Sequence, residues 1–261
     1  MNEILKAFDT QCIVVWALIL RETKTIFGDS RLGYLWLIIQ TAFLIATFWF
    51  LQTIFHMKPP HGIALPVFLL TGISIYFMFA NIVSACMFAI EGNKALLTYP
   101  QVFTLDLIIA RAVLIWATHI IVALILFTFA FFFSYKIEVV NTSKLVISLF
   151  LTLFLSLGAG TLVSSLNLLW PTTHTIIPMI LRVLFFTSGV FYSVSRVVKY
   201  GGNFLLYNPL LHLILICRES LSDTHEDVDG SISYVIIFTI VLSVFGMLLE
   251  RYTRKLRSFE S

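Results

Sequence analysis

Phe204-Leu-Leu-Tyr-Asn-Pro-Leu-Leu-His-Leu-Ile-Leu-Ile-Cys217 decides how many times this chain crosses a membrane. The stretch is apolar, but it reaches only about two-thirds of the ~20 residues that a helix needs to cross hydrocarbon. Asn208-Pro209 interrupts it, because proline lacks an N–H and disfavours helix at the residue before it. Read as a seventh span, it would put the two termini on opposite faces. Read as a re-entrant element, it leaves six apolar runs, approximately 33–55, 63–90, 107–133, 145–169, 176–194 and 232–249. Uninterrupted runs of this length lack the two-residue alternation of barrel strands, so an all-α membrane fold is expected.

Positive charge selects six spans. Lys6, Arg21, Lys24 and Arg31 precede the first run, and Arg251, Arg254, Lys255 and Arg257 follow the last. Six spans put both clusters in the cytoplasm together with Lys94, as the distribution of Lys and Arg in membrane proteins favours. The inside count is then nine, against six outside (Lys58, Lys136, Lys144, Arg196, Lys199 and Arg218), and the acid-rich segment 219–229 falls outside too.

Composition agrees. Hydrophobic residues make up 59% of 261 positions and charged residues 12%, with a mean hydropathy of +0.96, whereas a soluble domain carries about 25% charged residues. A net charge of +3 gives no pointer to nucleic acid. Cys12, Cys86 and Cys217 form no C-x-x-C, so neither a metal site nor a disulfide framework is expected. The apolar run 12–20 is followed by Arg21, Glu22 and Lys24 with no small-residue cleavage site, unlike a signal peptide. In the segment 1–28, Ile4, Phe8, Cys12, Trp16 and Ile19 share one helical face; Glu3, Lys6, Thr10, Arg21 and Lys24 lie mostly on another. Such a helix can lie in the headgroup plane, or pack against a neighbouring span.

No catalytic, cofactor-binding or metal-binding site is expected. Gly28-Asp-Ser-Arg-Leu-Gly33 has the glycine spacing of a phosphate-binding loop, but Tyr34-Leu35 replace the Lys-Ser/Thr that such a loop requires. Nucleotide-driven work must come from a partner. Arg182 lies about two turns into the fifth run after Pro178, where an inward-facing or paired role is expected. Arg111, near the start of the third, is expected to snorkel to the interface. His119 reads as a packing residue, His174 sits at a span end, and Asp106 and Glu250 are terminal. The spans thus offer no carboxylate for a proton relay, which argues against an ion-coupled carrier or an intramembrane enzyme.

Ser148, Thr152, Ser156, Gly160 and Ser164 recur every fourth residue, a stripe that lets helix backbones approach closely, within one subunit or between two. Phe127, Phe129, Phe131, Phe132, Phe133 and Tyr135 crowd one end of the third run, as an interfacial belt or as faces for sugar rings. The polar connector 91–106 contains Glu91, Asn93, Lys94, Thr98, Tyr99, Pro100, Gln101 and Asp106. It can form a short helix that docks onto a soluble partner, or remain a solvated link.

Leu20-Arg21-Glu22 through Phe27-Gly28, with Arg31-Leu32-Gly33-Tyr34-Leu35-Trp36, resembles the lead-in to the first span of ABC-2-type permeases. Tyr207-Asn208-Pro209-Leu210, continuing through His212 to Arg218-Glu219-Ser220, resembles their outer segment before the last span. The Arg-Glu pairs at both ends favour the KpsM-like inner-membrane subunits that export capsular polysaccharide, and the likeness covers essentially the whole chain. One departure is Gln40-Thr41 where a Glu-Pro often stands, which puts the kink of the first span in doubt.

The resemblance implies a homodimeric pore in the bacterial inner membrane, both termini cytoplasmic, with an ATPase subunit on each copy holding ATP and Mg. Arg21 and Glu22 of the N-terminal interface helix, and Glu91, Asn93, Lys94 and Tyr99 of the coupling segment 91–106, would meet that ATPase. The translocation path is assigned to Arg182, Trp36, Trp49 and Phe185. A periplasmic gate, within 195–231, is assigned to Tyr207, Asn208, Pro209, His212, Arg218 and Glu219. The cargo would be a lipid-linked and anionic capsular polysaccharide, passed on to periplasmic or envelope-spanning export proteins. O-antigen, teichoic acid or a small amphiphile are the alternative cargoes.

Overall fold

The computed structural model describes residues 2–27, 32–54, 63–132, 135, 139–221 and 228–260. Residues 28–31 of the glycine motif, together with Lys58, Phe133, Lys136 and most of the acid-rich segment, lie outside these residues. So do the side chains of Glu3, Ile4, Lys6, Phe8 and Arg257.

Among the described residues every regular element is helical. The helices are α1 (Asn2–Phe27), α2 (Leu32–Ile54), α3 (Leu65–Met87), α4 (Thr104–Phe132), α5 (Thr142–Leu169), α6 (Thr173–Thr187), α7 (Val194–Lys199), α8 (Pro209–Glu219) and α9 (Ile232–Glu260). Two 3-10 segments, Glu91–Thr98 and Asn203–Tyr207, precede α4 and α8. By length and composition, four helices can cross a membrane: α3, α4, α5 and α9 as far as Leu256. The apolar stretches of α2 (Trp36–Leu51) and α6 are shorter. α2 runs as one helix through Gln40-Thr41, with the Thr41 hydroxyl donating to the Leu37 carbonyl at 2.9 Å.

α3 is the central post. Its apolar window is 83% buried, against 17% for α9, which lies outermost. The small-residue stripe explains how a third helix fits between them. Ser148, Thr152, Ser156 and Ser164 are wholly buried, and a Cβ on Gly160 would come within 2.8 Å of the Cys86 Cβ on α3. Hydroxyls on the stripe turn back onto their own helix, Thr152 donating to the Ser148 carbonyl at 2.7 Å. A second seam faces α9: a Cβ on Gly246 would lie 3.0 Å from the Gly158 carbonyl oxygen. Both helices that these glycines approach, α3 and α9, therefore belong to the same chain.

The break at Asn208-Pro209 is a helix start. The Asn208 side-chain oxygen accepts from the Leu210 N–H at 3.0 Å, and Pro209 occupies the first helical position, where its missing N–H costs nothing. α8 has 11 residues, about 16 Å of helix against a hydrocarbon thickness of roughly 30 Å. Every residue from Leu210 to Arg218 is buried. The run expected as the fifth span stops being helical at Thr187 and turns at Gly189, whose φ of +69° suits glycine.

Gly246→Val should force α9 off α5 and destabilise the protein by about 1–3 kcal/mol, read as a lower melting temperature in detergent. An unchanged melting temperature would mean that the two helices are not this close.

Candidate functional site

Polar side chains that an apolar bundle would otherwise exclude gather at the two ends of α3. Phe68 marks one end and Ala85 the other, about 25 Å apart along the helix.

At the Ala85 end, Glu22 of α1 is only 1% exposed and would be prohibitively costly as a lone charge. Its Oε2 accepts from Arg111 Nε of α4 at 2.9 Å, and its Oε1 accepts from Asn93 Nδ2 at 3.1 Å. Asn93 Nδ2 also donates to the Ala89 carbonyl at 3.0 Å, and Arg111 Nη1 donates to the Ala85 carbonyl at 3.0 Å. Four segments thus meet at one carboxylate: α1, the end of α3, the Glu91–Thr98 turn and α4. The backbone leaves 3-10 geometry at Asn93 (φ −126°, ψ 24°), and the side chain is buried. Arg111 does not snorkel; its guanidinium points inward because a buried acid waits there.

The six expected coupling residues therefore divide. Glu22 and Asn93 are internal. Arg21, Glu91, Lys94 and Tyr99 are exposed, and Glu91 is steadied by Asn167 Nδ2 at 3.2 Å. Asp106 is buried and accepts from the Phe103 N–H at 2.8 Å. Glu250 is buried as well, bonded by the Thr104 hydroxyl, with Arg254 Nε at 3.7 Å. Asp106 and Glu250 are working ties that fasten the connector and α9 to the start of α4.

At the Phe68 end, α8 supplies the ties. Asn208 Nδ2 donates to Ser188 Oγ at 2.9 Å. His212 bonds the Leu206 carbonyl through Nε2 at 2.9 Å and the Ser231 N–H through Nδ1 at 3.2 Å. A carbonyl can only accept and an N–H can only donate, so these two contacts fit the tautomer that carries its proton on Nε2. Arg218 is buried, donates to the carbonyls of Gly189 at 2.9 Å and Val190 at 3.0 Å, and lies 3.5 Å over the Phe68 ring. Glu219 pairs with Lys144 at 2.7 Å and accepts from the Gly230 N–H at 2.7 Å. The adjacent Arg-Glu residues thus serve different partners. Tyr207 is exposed, and its carbonyl accepts from the Tyr234 hydroxyl at 2.7 Å.

The four path residues are not brought together. Arg182 is exposed on α6, and no acidic partner for it is found among the described residues. Its neighbours Met179, Val183 and Phe186 are exposed too. Trp36 is exposed on α2, whereas Trp49 lines an apolar cleft of about 290 Å³ with Leu70 and Phe129. Phe185 packs against Tyr76 and Phe191, with ring centroids at 4.6 and 4.7 Å. His119, as expected of a packing residue, is buried and bonded to Asn81 at 2.9 Å.

Residues 13–221, which include the Glu22 cluster and the whole of α8, match the family model of the ABC-2 type transporter. The chain belongs to the ABC-2 type transporter family. It is 33% identical over 245 residues to the polysialic acid transport protein KpsM of Escherichia coli, covering 94% of this chain and 95% of that one. It is 24% identical to the capsule polysaccharide export inner-membrane protein CtrC of Neisseria meningitidis, over 90% of this chain and 88% of that one. The capsule polysaccharide export inner-membrane protein BexB of Haemophilus influenzae is 22% identical, over 91% of this chain and 90% of that one. Membership of this ABC-2 family spans both polar ends of the bundle.

Arg218→Ala would strip two buried carbonyls of their donor. A loss of about 3 kcal/mol is expected, measurable as a lower melting temperature and faster proteolysis near α8; wild-type values for both would show that Arg218 is not a structural tie.

Proposed function

We propose that this chain is the membrane-spanning permease subunit of an ATP-driven exporter that carries lipid-linked capsular polysaccharide from cytoplasm to periplasm. The observation that carries the reading is end-to-end similarity to relatives named for polysialic acid transport and capsule polysaccharide export. ATP and Mg are held by a separate ATPase subunit. The permease lies in the inner membrane with six spans (α2 to α6 and α9), both termini cytoplasmic and α8 re-entrant from the periplasm. Two pairs of contacts support that topology. Asn208 and Arg218, at opposite ends of α8, both touch the turn that follows α6, while Glu22 and Glu250 both meet the start of α4.

Within this reading Arg21, Glu91, Lys94 and Tyr99 form the face that receives the ATPase. A second copy completes the pore, and the exposed apolar faces of α2 and α6 are where cover is needed. Arg182 then meets the anionic glycan along the path, and Trp36, Trp49 and Phe185 line it at separate points. The α8 segment acts as the periplasmic gate, its Tyr207 presented to cargo and its Asn208, Pro209, His212, Arg218 and Glu219 holding it in place. Envelope-spanning export proteins take the polysaccharide onward.

Combining Glu91→Lys with Lys94→Glu should weaken co-purification of the ATPase in mild detergent; undiminished binding would move the docking face elsewhere. In a deletion strain complemented with Arg182→Ala, surface capsule and glycan-stimulated ATP hydrolysis should both fall. If neither changes, Arg182 is not on the path.

A further inference from the structure

Glu22 and Asn93 sit on the two segments assigned above to ATPase docking, yet both side chains are buried, Asn93 bonding one oxygen of Glu22 and Arg111 the other. We infer that Glu22, Asn93 and Arg111 form a brace that joins α1 and the Glu91–Thr98 segment into one body and passes its displacement to α4. These are positioning residues, acting through the exposed groups on the same segments. The inference rests on the permease reading and extends it to residues buried within the chain.

Geometry supplies the case. Around the brace, α1 meets α4 and the connector through aliphatic contacts, with Leu18, Ile108 and Leu107 in one cluster with Leu96 and Leu97. Apolar contacts are non-directional, so such surfaces can slide over one another at small cost. A charge-assisted hydrogen bond has a fixed length and direction. One carboxylate here spends its two oxygens on two different segments, at 2.9 and 3.1 Å. The guanidinium that holds it is itself pinned to α3 through the Ala85 carbonyl. Arg111 lies seven residues inside α4, counting from Thr104, so a push on the connector is delivered about two turns inside that helix rather than at its frayed end.

The outer face of the same connector presents Lys94 and Tyr99, so force applied there is met on the inner face by the brace. Stability alone is a weak explanation. A buried ion pair is often replaced by well-packed apolar groups at no net cost, so what it adds is register.

The test uses the full chain co-expressed with its ATPase, the complex being isolated from capsule-forming cells. Glu22→Leu with Arg111→Met replaces the ion pair by apolar groups and avoids a stranded charge. The ATPase is expected to co-purify at wild-type stoichiometry, while surface polysaccharide per ATP hydrolysed falls about tenfold, within the usual range of coupling between sites. A second variant, Glu22→Cys with Asn93→Cys in a Cys12→Ala background, removes the exposed native thiol. It should be defective until a short bis-methanethiosulfonate cross-linker bridges the pair, each cysteine thiol displacing one methanesulfinate to form a disulfide, and should then recover export. An unchanged export-to-hydrolysis ratio in the apolar double variant overturns the brace. So does a loss of assembly that matches the loss of export, which would mark the cluster as structural only, or a bridged protein that stays inactive. Wild-type chain that captures no ATPase and exports no polysaccharide would instead sink the permease reading itself.

Discussion

Taking a carboxylate and a guanidinium out of water costs several kcal/mol for each, and only close pairing with every polar atom engaged offsets it. Glu22 and Arg111 pair at 2.9 Å, with Asn93 on the second carboxylate oxygen and the Ala85 carbonyl on Arg111 Nη1. Much of the Ala85 end of the molecule follows from this constraint. α1 must lie against α4 with Glu22 inward, which turns Cys12, Ile13, Trp16 and Leu20 outward. One face of the N-terminal helix therefore packs on α4, and the opposite face is left apolar and exposed. The connector after α3 cannot extend freely either, because Asn93 must reach the same carboxylate.

The other end solves the same problem with different chemistry. Arg218 is buried against main-chain carbonyls and an aromatic face, while Glu219 turns away to Lys144. Carbonyls at the turn after α6 are free to accept because Gly189 breaks the helix there. The short helix α8 is thus held by groups that a regular helix end leaves unsatisfied. It is fastened at its start through Asn208 and at its finish through Arg218, with His212 tying its middle to the approach of α9.

Local features were legible in the sequence and partner choice was not. The all-helical character could be read from uninterrupted apolar runs, and Asn208-Pro209 marked a boundary because capping and the missing proline N–H act within a few residues. The stripe Ser148 to Ser164 announced close packing, but which helices it meets depends on Gly160 facing Cys86 and Gly158 facing α9. Arg111 was misjudged for the same reason. Its acid lies 89 residues away on another helix, and no spacing rule reaches that far. Arg21-Glu22 and Arg218-Glu219 look like pairs in sequence, yet neighbouring residues on a helix point about 100° apart and do not face each other.

Arg182 carries the last consequence. A charged side chain in a span faces the bundle interior, a partner or a water-filled cavity, because hydrocarbon is costly for it. Within one chain Arg182 finds no acidic partner among the described residues and sits on an exposed face with Met179, Val183 and Phe186. The interior at that level is already filled: Leu181, the next residue, gives its carbonyl to the buried Tyr76 hydroxyl at 2.5 Å. Turning α6 to bury Arg182 would break that bond and expose Leu181. The arginine must therefore be relieved from outside the chain, by water or by another molecule. On the permease reading proposed above, a pore beside α6 would supply both, and that is the physical reason for proposing the path there.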